Sequence, residues 1–427
     1  MPLLKNSLLF ILIYFIVFHS SYAINPEKLV NFPESLISYD QNYYALEESY
    51  PKQRLPASIK QYPAEFRDEI SFWKNIYSIF NEDKVVLHDK KEMGIIYEVL
   101  DFTDLKKKSR NRVVYEILKH RSTRKRIKQL KNSFYNCQKN FRSCPKSIKS
   151  KIKNQKDFKS LRKNLRTQTG QSNIIKNGIS RFKKTSKDVL NLFDQLKAKK
   201  EWLVIPFIES SYNHEARSKV NAAGAWQIMP FIAKKLLPFN KFVDGRMSII
   251  LAAMTGIRIL KQNERSTKSG ELAIIAYNSG LRDIFRTRKR LGKKYINYEE
   301  YLLKNKSKSF GFASRNFLME FFALKEVLID LGLFKINKKS KALKFYLSKC
   351  KIRPKKVLSL LKKFDKKVDV YNNHFRYKKK VLGPGQIIIT TKSLPKRYYE
   401  AVSSRDLKRH PPRKWKLKSK RQSCSII

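Results

Sequence analysis

Apolar positions recur at helical spacing along most of the chain. Phe66, Ile70, Phe72, Trp73, Ile76, Tyr77 and Phe80 predict a helix over 66–80. Residues 105–166 are studded with Lys and Arg, with apolar positions at Val113, Val114, Ile117, Leu118, Ile127 and Leu130. Basic amphipathic helices are expected there, and each lysine alone reads as a solvated helix face. Thr185 and Asp188 have the spacing of a capping box, with Asp in place of the usual Glu or Gln. Val189, Leu190, Leu192, Phe193 and Leu196 follow as a helical stripe. Residues 202–208 (WLVIPFI) are apolar without a break and stop at Glu209. Further apolar helices are expected over 247–260 and 272–277, the latter closed by Ser279-Gly280. Helix after helix, with almost no alternation, predicts a mainly α protein. The best strand candidate is GPGQIIIT, 383–390.

The N-terminus reads differently. Lys5 precedes an apolar run of 11 residues, 8–18, and small residues lead up to Ala23. This is the layout of a secretory signal peptide over 1–23. The alternative, an uncleaved anchor, is disfavoured because a spanning helix needs ~20 apolar residues. No cysteine follows the run, which argues against lipid attachment. An extended leader is expected over 24–63, with prolines at 26, 33, 51, 56 and 63. A basic helical region over 64–184 and a helical domain over 185–335 come next. A small module over 340–395 and a basic tail over 396–427 complete the division.

Charge narrows the partners. The chain of 427 residues carries 93 basic against 35 acidic residues, a net +58, with 42% hydrophobic content. A packed core is therefore expected, together with an anionic partner. The excess is uneven: 31 basic against 6 acidic residues over 101–200, 17 against 9 over 201–300, and 35 against 7 over 301–427. Two cationic flanks enclose a milder centre. Export makes nucleic acid a poor partner and a cell wall a good one, and leaves peripheral membrane association open. Localisation to the periplasm, the cell envelope or the exterior is expected.

Four cysteines, Cys137, Cys144, Cys350 and Cys424, form no CxxC and have no histidine at zinc-ligand spacing, so no metal is expected. Cys137 and Cys144 could close a small loop in an oxidising compartment or stay reduced; Cys350 and Cys424 are open to either state. No cofactor is implied, and the oligomeric state is not legible.

The candidate chemistry lies over 205–230. A carboxylate ending an apolar run is costly to ionise, so its pKa should rise, as a general acid for glycosidic cleavage requires. Taken alone, Glu209 reads more readily as a helix-end or salt-bridged carboxylate than as a catalytic acid. Three patterns decide between these. Glu209-Ser210, then Gly224-Ala225-Trp226-Gln227 with Ile228-Met229-Pro230, then Ala276-Tyr277-Asn278-Ser279-Gly280 occur in that order. This arrangement resembles the lytic transglycosylase module of the goose-type lysozyme superfamily. Asp244-x-Arg246 and an apolar helix over 310–328 extend the resemblance, which covers about 189–333. Ala225 departs from it, standing where a larger aliphatic residue is usual, and should alter packing rather than chemistry.

The resemblance implies a lysozyme-like helical catalytic domain acting on peptidoglycan glycan strands. It makes Glu209 the sole catalytic acid/base and places Ser218, Gln227 and Met229 along the sugar cleft. Tyr277 and Asn278 would lie opposite the acid, and Glu215 reads as a surface residue. The product would be a 1,6-anhydromuramic end. A hydrolytic muramidase of the same fold would need a second acid, for which Asp244 is the spare. A non-catalytic wall-binding protein is the remaining alternative. GPGQIIIT is faintly similar to the closing strand of a LysM-type module, and a β-hairpin explains it nearly as well.

Overall fold

A computed structural model describes residues 43–46, 57–142, 144–149, 158–307, 310–335 and 341–418. The expected signal peptide, most of the leader, Cys424 and the end of the basic tail lie outside them. The described chain divides into two compact units, one of residues up to 176 with 319–330, the other of 177–318 with 331 onward.

The first unit contains β1 (Ala45–Leu46), α1 (Arg67–Ser78), β2 (Lys84–Asp89), β3 (Ile96–Asp101), α2 (Thr103–Lys108), α3 (Arg112–Lys139), α4 (Lys146–Lys149), α5 (Phe158–Asn164) and β4 (Leu165–Thr169). The strands pair antiparallel in the order β1-β3-β2-β4, with Val86 opposite both Val99 and Gln168. The expected helix over 66–80 is present as α1, and α3 is the long basic helix. The sheet is an addition to the helical reading of this region. Val85, Val86, Leu87 and His88 are all buried, so β2 shows a short apolar run instead of an alternation. Such a run does not distinguish strand from buried helix.

Helix α3 starts where the Asn111 side chain accepts the Val113 N–H at 2.7 Å. Its Leu130, Phe134 and Cys137, one helical face, pack into a cluster with Leu87, Tyr97 and Leu100. Cys137 is disulfide-bonded to Cys144 with the Cα atoms 4.8 Å apart. Cys350 is disulfide-bonded as well.

The second unit takes over within α6 (Ser172–Lys183). It continues through α7 (Ser186–Gln195), α8 (Ile205–Ser210), α9 (Pro230–Leu236), α10 (Ile249–Thr267), α11 (Gly270–Ser279), α12 (Leu281–Arg290), α13 (Tyr298–Lys304) and the start of α14 (Phe312–Asp330). Helix α7 begins as expected, but without the capping box. The Thr185 side chain makes no cap bond, and the Asp188 carboxylate instead takes the Lys367 ammonium at 2.8 Å. An ion pair has outcompeted the local bond. The centre of the unit is α10, whose residues 249–257 are all buried, with Ser248 capping its start by accepting the Leu251 N–H.

The chain then forms β5 (Lys344–Ser348), α15 (Pro354–Lys362), α16 (Val368–Tyr371), β6 (Ile387–Thr390), β7 (Tyr399–Ala401) and α17 (Ser404–Arg409). The expected strand in GPGQIIIT is β6. It pairs antiparallel with β5, which is central in the order β6-β5-β7. Two helices, not a turn, join β5 to β6, so the segment is a small α+β layer and not a hairpin. Val243, from the α9–α10 connection, is buried in its core with Ile352, Phe375 and Ile388. Mainly α describes the chain as a whole. Among the described residues, no helix is long and apolar enough to cross a membrane.

One glycine in α10 is fixed by packing. A Cβ built on Gly256 would lie 2.1 Å from the Trp226 ring, and that indole is fully buried. Alanine there should gain ~1 kcal/mol of helix propensity but lose ~1–3 kcal/mol or more to overpacking. Gly256→Ala is therefore expected to lower the urea midpoint, the reverse of its effect in an exposed helix.

Candidate active site

Glu209 stands in the last turn of α8, just after the apolar run. The helix stops abruptly, because Ser211 (φ 45) and Tyr212 (φ 62) both adopt left-handed backbone. Two consecutive non-glycine residues in that region cost ~1–3 kcal/mol each unless the surroundings impose it. Here they do. Arg181 donates twice to the Ser211 carbonyl, at 3.1 Å from Nε and 2.7 Å from Nη2. Gly178 lets that carbonyl approach α6, since a Cβ there would meet its oxygen at 2.7 Å. The Tyr212 ring packs between Phe182 and Phe207, with centroids at 4.7 and 5.1 Å.

The carboxyl thus leaves an apolar segment at a rigid corner. The residue is half-buried, and among the described residues nothing hydrogen-bonds or ion-pairs with its carboxyl. Burial alone raises its pKa from 4.5 to about 8. At pH 7 the neutral acid predominates by about ten to one.

The three sequence patterns meet through two successive carbonyls. Ser210 Oγ donates to the Ala225 carbonyl at 2.9 Å, and Tyr277 Oη donates to the Trp226 carbonyl at 2.7 Å. The Glu209 helix and α11 therefore both grip the segment between Gly224 and Gln227. Burial, and then the charge Glu209 would carry, push the Tyr277 hydroxyl well above its ordinary pKa, so it stays a donor. Asn278 follows it, half-buried, on the same helix.

The loop itself is tightly folded. Gly224 has φ +78, and a Cβ there would lie 1.9 Å from the Arg246 carbonyl oxygen, so only glycine fits. Gln227 (φ 44) turns its amide inward: Nε2 donates to the Gly224 carbonyl at 2.9 Å. Its Oε1 is buried and has no hydrogen-bond partner among the described residues. Ser218 Oγ accepts the Ala222 N–H at 2.9 Å and so pins the turn entering the loop. Met229, half-buried, leads into α9.

Asp244 lies elsewhere in electrostatic terms. It is 0% exposed, and Arg246 forks onto it with Nε and Nη2, each at 2.9 Å. Arg376 adds 2.8 Å and Arg217 3.5 Å. Burial pushes this carboxyl up, but the bonds and charges of Arg246 and Arg376 outweigh it and hold it below its usual range. An acid locked in this way cannot serve as a second proton-transfer group. Glu215 is 69% exposed in its side chain, the surface residue expected. Sequence reasoning missed Arg181, Gly178 and the two carbonyls. Arg181 carried no local signal, since it is one of many cations on basic helices.

Residues 196–299 match the family model described as a Transglycosylase SLT domain. The matched stretch is 104 of the 427 residues. The match takes in Glu209, the 224–229 loop, Asp244 and the α11 segment. Over 82 residues the chain is 29% identical to membrane-bound lytic murein transglycosylase D of Escherichia coli strain K12, and equally to that of strain O6:H1. The aligned stretch is 19% of this chain and 18% of each of those proteins. The match ends at residue 299, in the first turn of α13, so the basic first unit and the C-terminal α+β layer lie outside it.

The Glu209 environment has a measurable cost. With its pKa at 4.5 unfolded and about 8 folded, the native state binds more protons between those values, so stability falls as pH rises through that window. Glu209→Gln removes the dependence. The variant should match wild type near pH 4 and be more stable by ~1–3 kcal/mol at pH 9, below the full linkage value of ~1.4 kcal/mol per unit because the carboxyl reaches solvent. Parallel urea titrations at the two pH values measure the difference.

Proposed function

We propose that this protein is a peptidoglycan lytic transglycosylase that cleaves between N-acetylmuramic acid and N-acetylglucosamine and leaves a 1,6-anhydromuramic end. The observation carrying this reading is one half-buried carboxyl, protonated at neutral pH, at the point where the three SLT-domain patterns meet. Neutral Glu209 donates its proton to the glycosidic oxygen as the C1–O bond breaks, and the oxocarbenium-like centre is stabilised by the sugar's own 2-acetamido group. Ionised Glu209 then takes the proton of the C6 hydroxyl, whose oxygen closes on C1. The acid is restored and no water is consumed.

Hydrolysis is disfavoured by the state of the rival carboxylate. A retaining or inverting hydrolase needs a second group to attack C1 or to activate water, and Asp244 is committed to arginines. A wall-binding protein without activity would have no use for a carboxyl kept neutral at a cost in stability. Tyr277 Oη, its proton given to the Trp226 carbonyl, keeps a lone pair to accept from the sugar, with Ser218, Gln227, Met229 and Asn278 lining the cleft. The basic flanks suit the carboxylates of peptidoglycan stem peptides, and the α+β layer is read as a LysM-like glycan-binding module. Residence in the cell envelope follows from the substrate and from the apolar N-terminal run.

Glu209→Gln should reduce lysis of purified sacculi by at least ~10²-fold, and wild-type activity should decline as pH rises through about 8. Mass spectrometry should find anhydro ends. Reducing ends in their place would mean hydrolysis.

Wall binding should be chiefly ionic, because the flanks over 101–200 and 301–427 hold +25 and +28 of the net charge. Added salt shortens the screening length from ~8 Å to a few Å. Sedimentation of Glu209→Gln with sacculi should therefore weaken markedly between 0.1 and about 0.5 M salt. Unchanged binding at the higher salt would rule out charge as the anchor.

A further inference from the structure

The C-terminal layer reaches the catalytic loop through three linked charged groups. Its segment 374–376 runs beside 242–244: the Asp244 N–H donates to the His374 carbonyl at 2.7 Å, and the Arg376 N–H to the Phe242 carbonyl at 2.9 Å. The side chains repeat the connection, since Arg376 Nη2 donates to Asp244 Oδ2 at 2.8 Å. Asp244 holds the plane of the Arg246 guanidinium through the paired bonds already described. The remaining nitrogen of that group, Nη1, donates to the carbonyls of Asn221 at 2.6 Å and Ile228 at 3.1 Å. Those two carbonyls bracket the Gly224–Gln227 segment that Ser210 and Tyr277 grip. The Phe239 ring lies against both guanidiniums, 4.8 Å from Arg246 and 5.6 Å from Arg376.

We propose that Arg376 is a positioning residue for the active-site loop, so that the C-terminal layer is part of the catalytic machinery as well as an appendage that binds the wall. The physical reason is the division of work at Asp244. Its oxygens are shared between Arg246 and Arg376, and the third cation, Arg217, is longer at 3.5 Å and 47% exposed. Without Arg376 the carboxylate loses its shortest bond and is free to rotate towards Arg217. The fork to Arg246 then loosens, and with it the hold on Asn221 and Ile228. Charge-assisted bonds of this kind are among the stronger contributors to local order. The catalytic part of the proposal rests on the transglycosylase reading; the structural part does not.

The test uses the full chain with Arg376→Ala and Arg376→Lys, the latter keeping the charge and one donor. Hydrogen exchange should accelerate roughly tenfold at the amides of Ala223, Gly224, Gln227 and Ile228 in the alanine variant, with α10 unchanged and the lysine variant intermediate. With sacculus-derived glycan, kcat should fall by a similar factor and KM should stay constant, while sedimentation with sacculi is unaffected. Unchanged exchange in the loop, or a uniform rise over the whole unit, overturns the proposal. So does a raised KM at constant kcat, which would make the residue a substrate anchor. If wild type itself releases no glycan fragments while the loop amides respond as expected, the transglycosylase reading fails and the positioning role stands.

Discussion

The site depends on the capture of four carbonyls in one short loop. Ser210 and Tyr277 hold those of Ala225 and Trp226, and Arg246 holds those of Asn221 and Ile228. A backbone carbonyl is an obligatory acceptor, costly to bury unpaired. Where a loop's carbonyls go therefore fixes its path more firmly than apolar contacts would. Left-handed backbone occurs at Asn221, Gly224 and Gln227 within the loop and at Ser211 and Tyr212 beside it. Ser211 gives its carbonyl to Arg181, Tyr212 is held between Phe182 and Phe207, and Gly224 makes room for the Arg246 carbonyl. Close packing completes the constraint, because Trp226 can present its carbonyl only if its ring has the space that Gly256 leaves.

Much of this was legible in the sequence, and the parts that were not share a cause. The apolar run ending at Glu209, the order of the three patterns, α1 and β6 all depend on neighbours a few residues apart. The β1-β3-β2-β4 sheet was hidden because β2 is buried on both faces and loses the alternation that marks a strand. The capping box at Thr185 failed because Lys367, distant in sequence, competes for Asp188. Arg181 and Arg376 were invisible for a related reason. In a chain with 93 basic residues, nothing local separates a cation that holds a buried carbonyl or carboxylate from one that faces solvent. Asp244 was legible as a residue but not in its role. Its sequence neighbour Arg246 hinted at a pair, yet its other close partner, Arg376, comes from 132 residues downstream.

The same charge excess bears on the acid in the opposite sense. One cation within ~4–6 Å of a carboxylate lowers its pKa by about 1–3 units. At Glu209 that would bring the value near or below neutrality and leave a large fraction of the acid ionised. No cation acts on it: desolvation is the whole of its shift. Asp244 shows the contrary outcome in the same unit, where burial is overcome by two guanidiniums. The two carboxyls therefore owe their protonation states to one difference, the presence or absence of arginine, and not to depth of burial. On the proposed reading, cations that hold the protein on an anionic polymer must be kept away from the general acid. The mild charge of 201–300, against +25 and +28 in the stretches on either side, is what that separation looks like in the sequence. The arginines that do approach the site are spent on carbonyls and on Asp244, where their charge supports the loop without reaching Glu209.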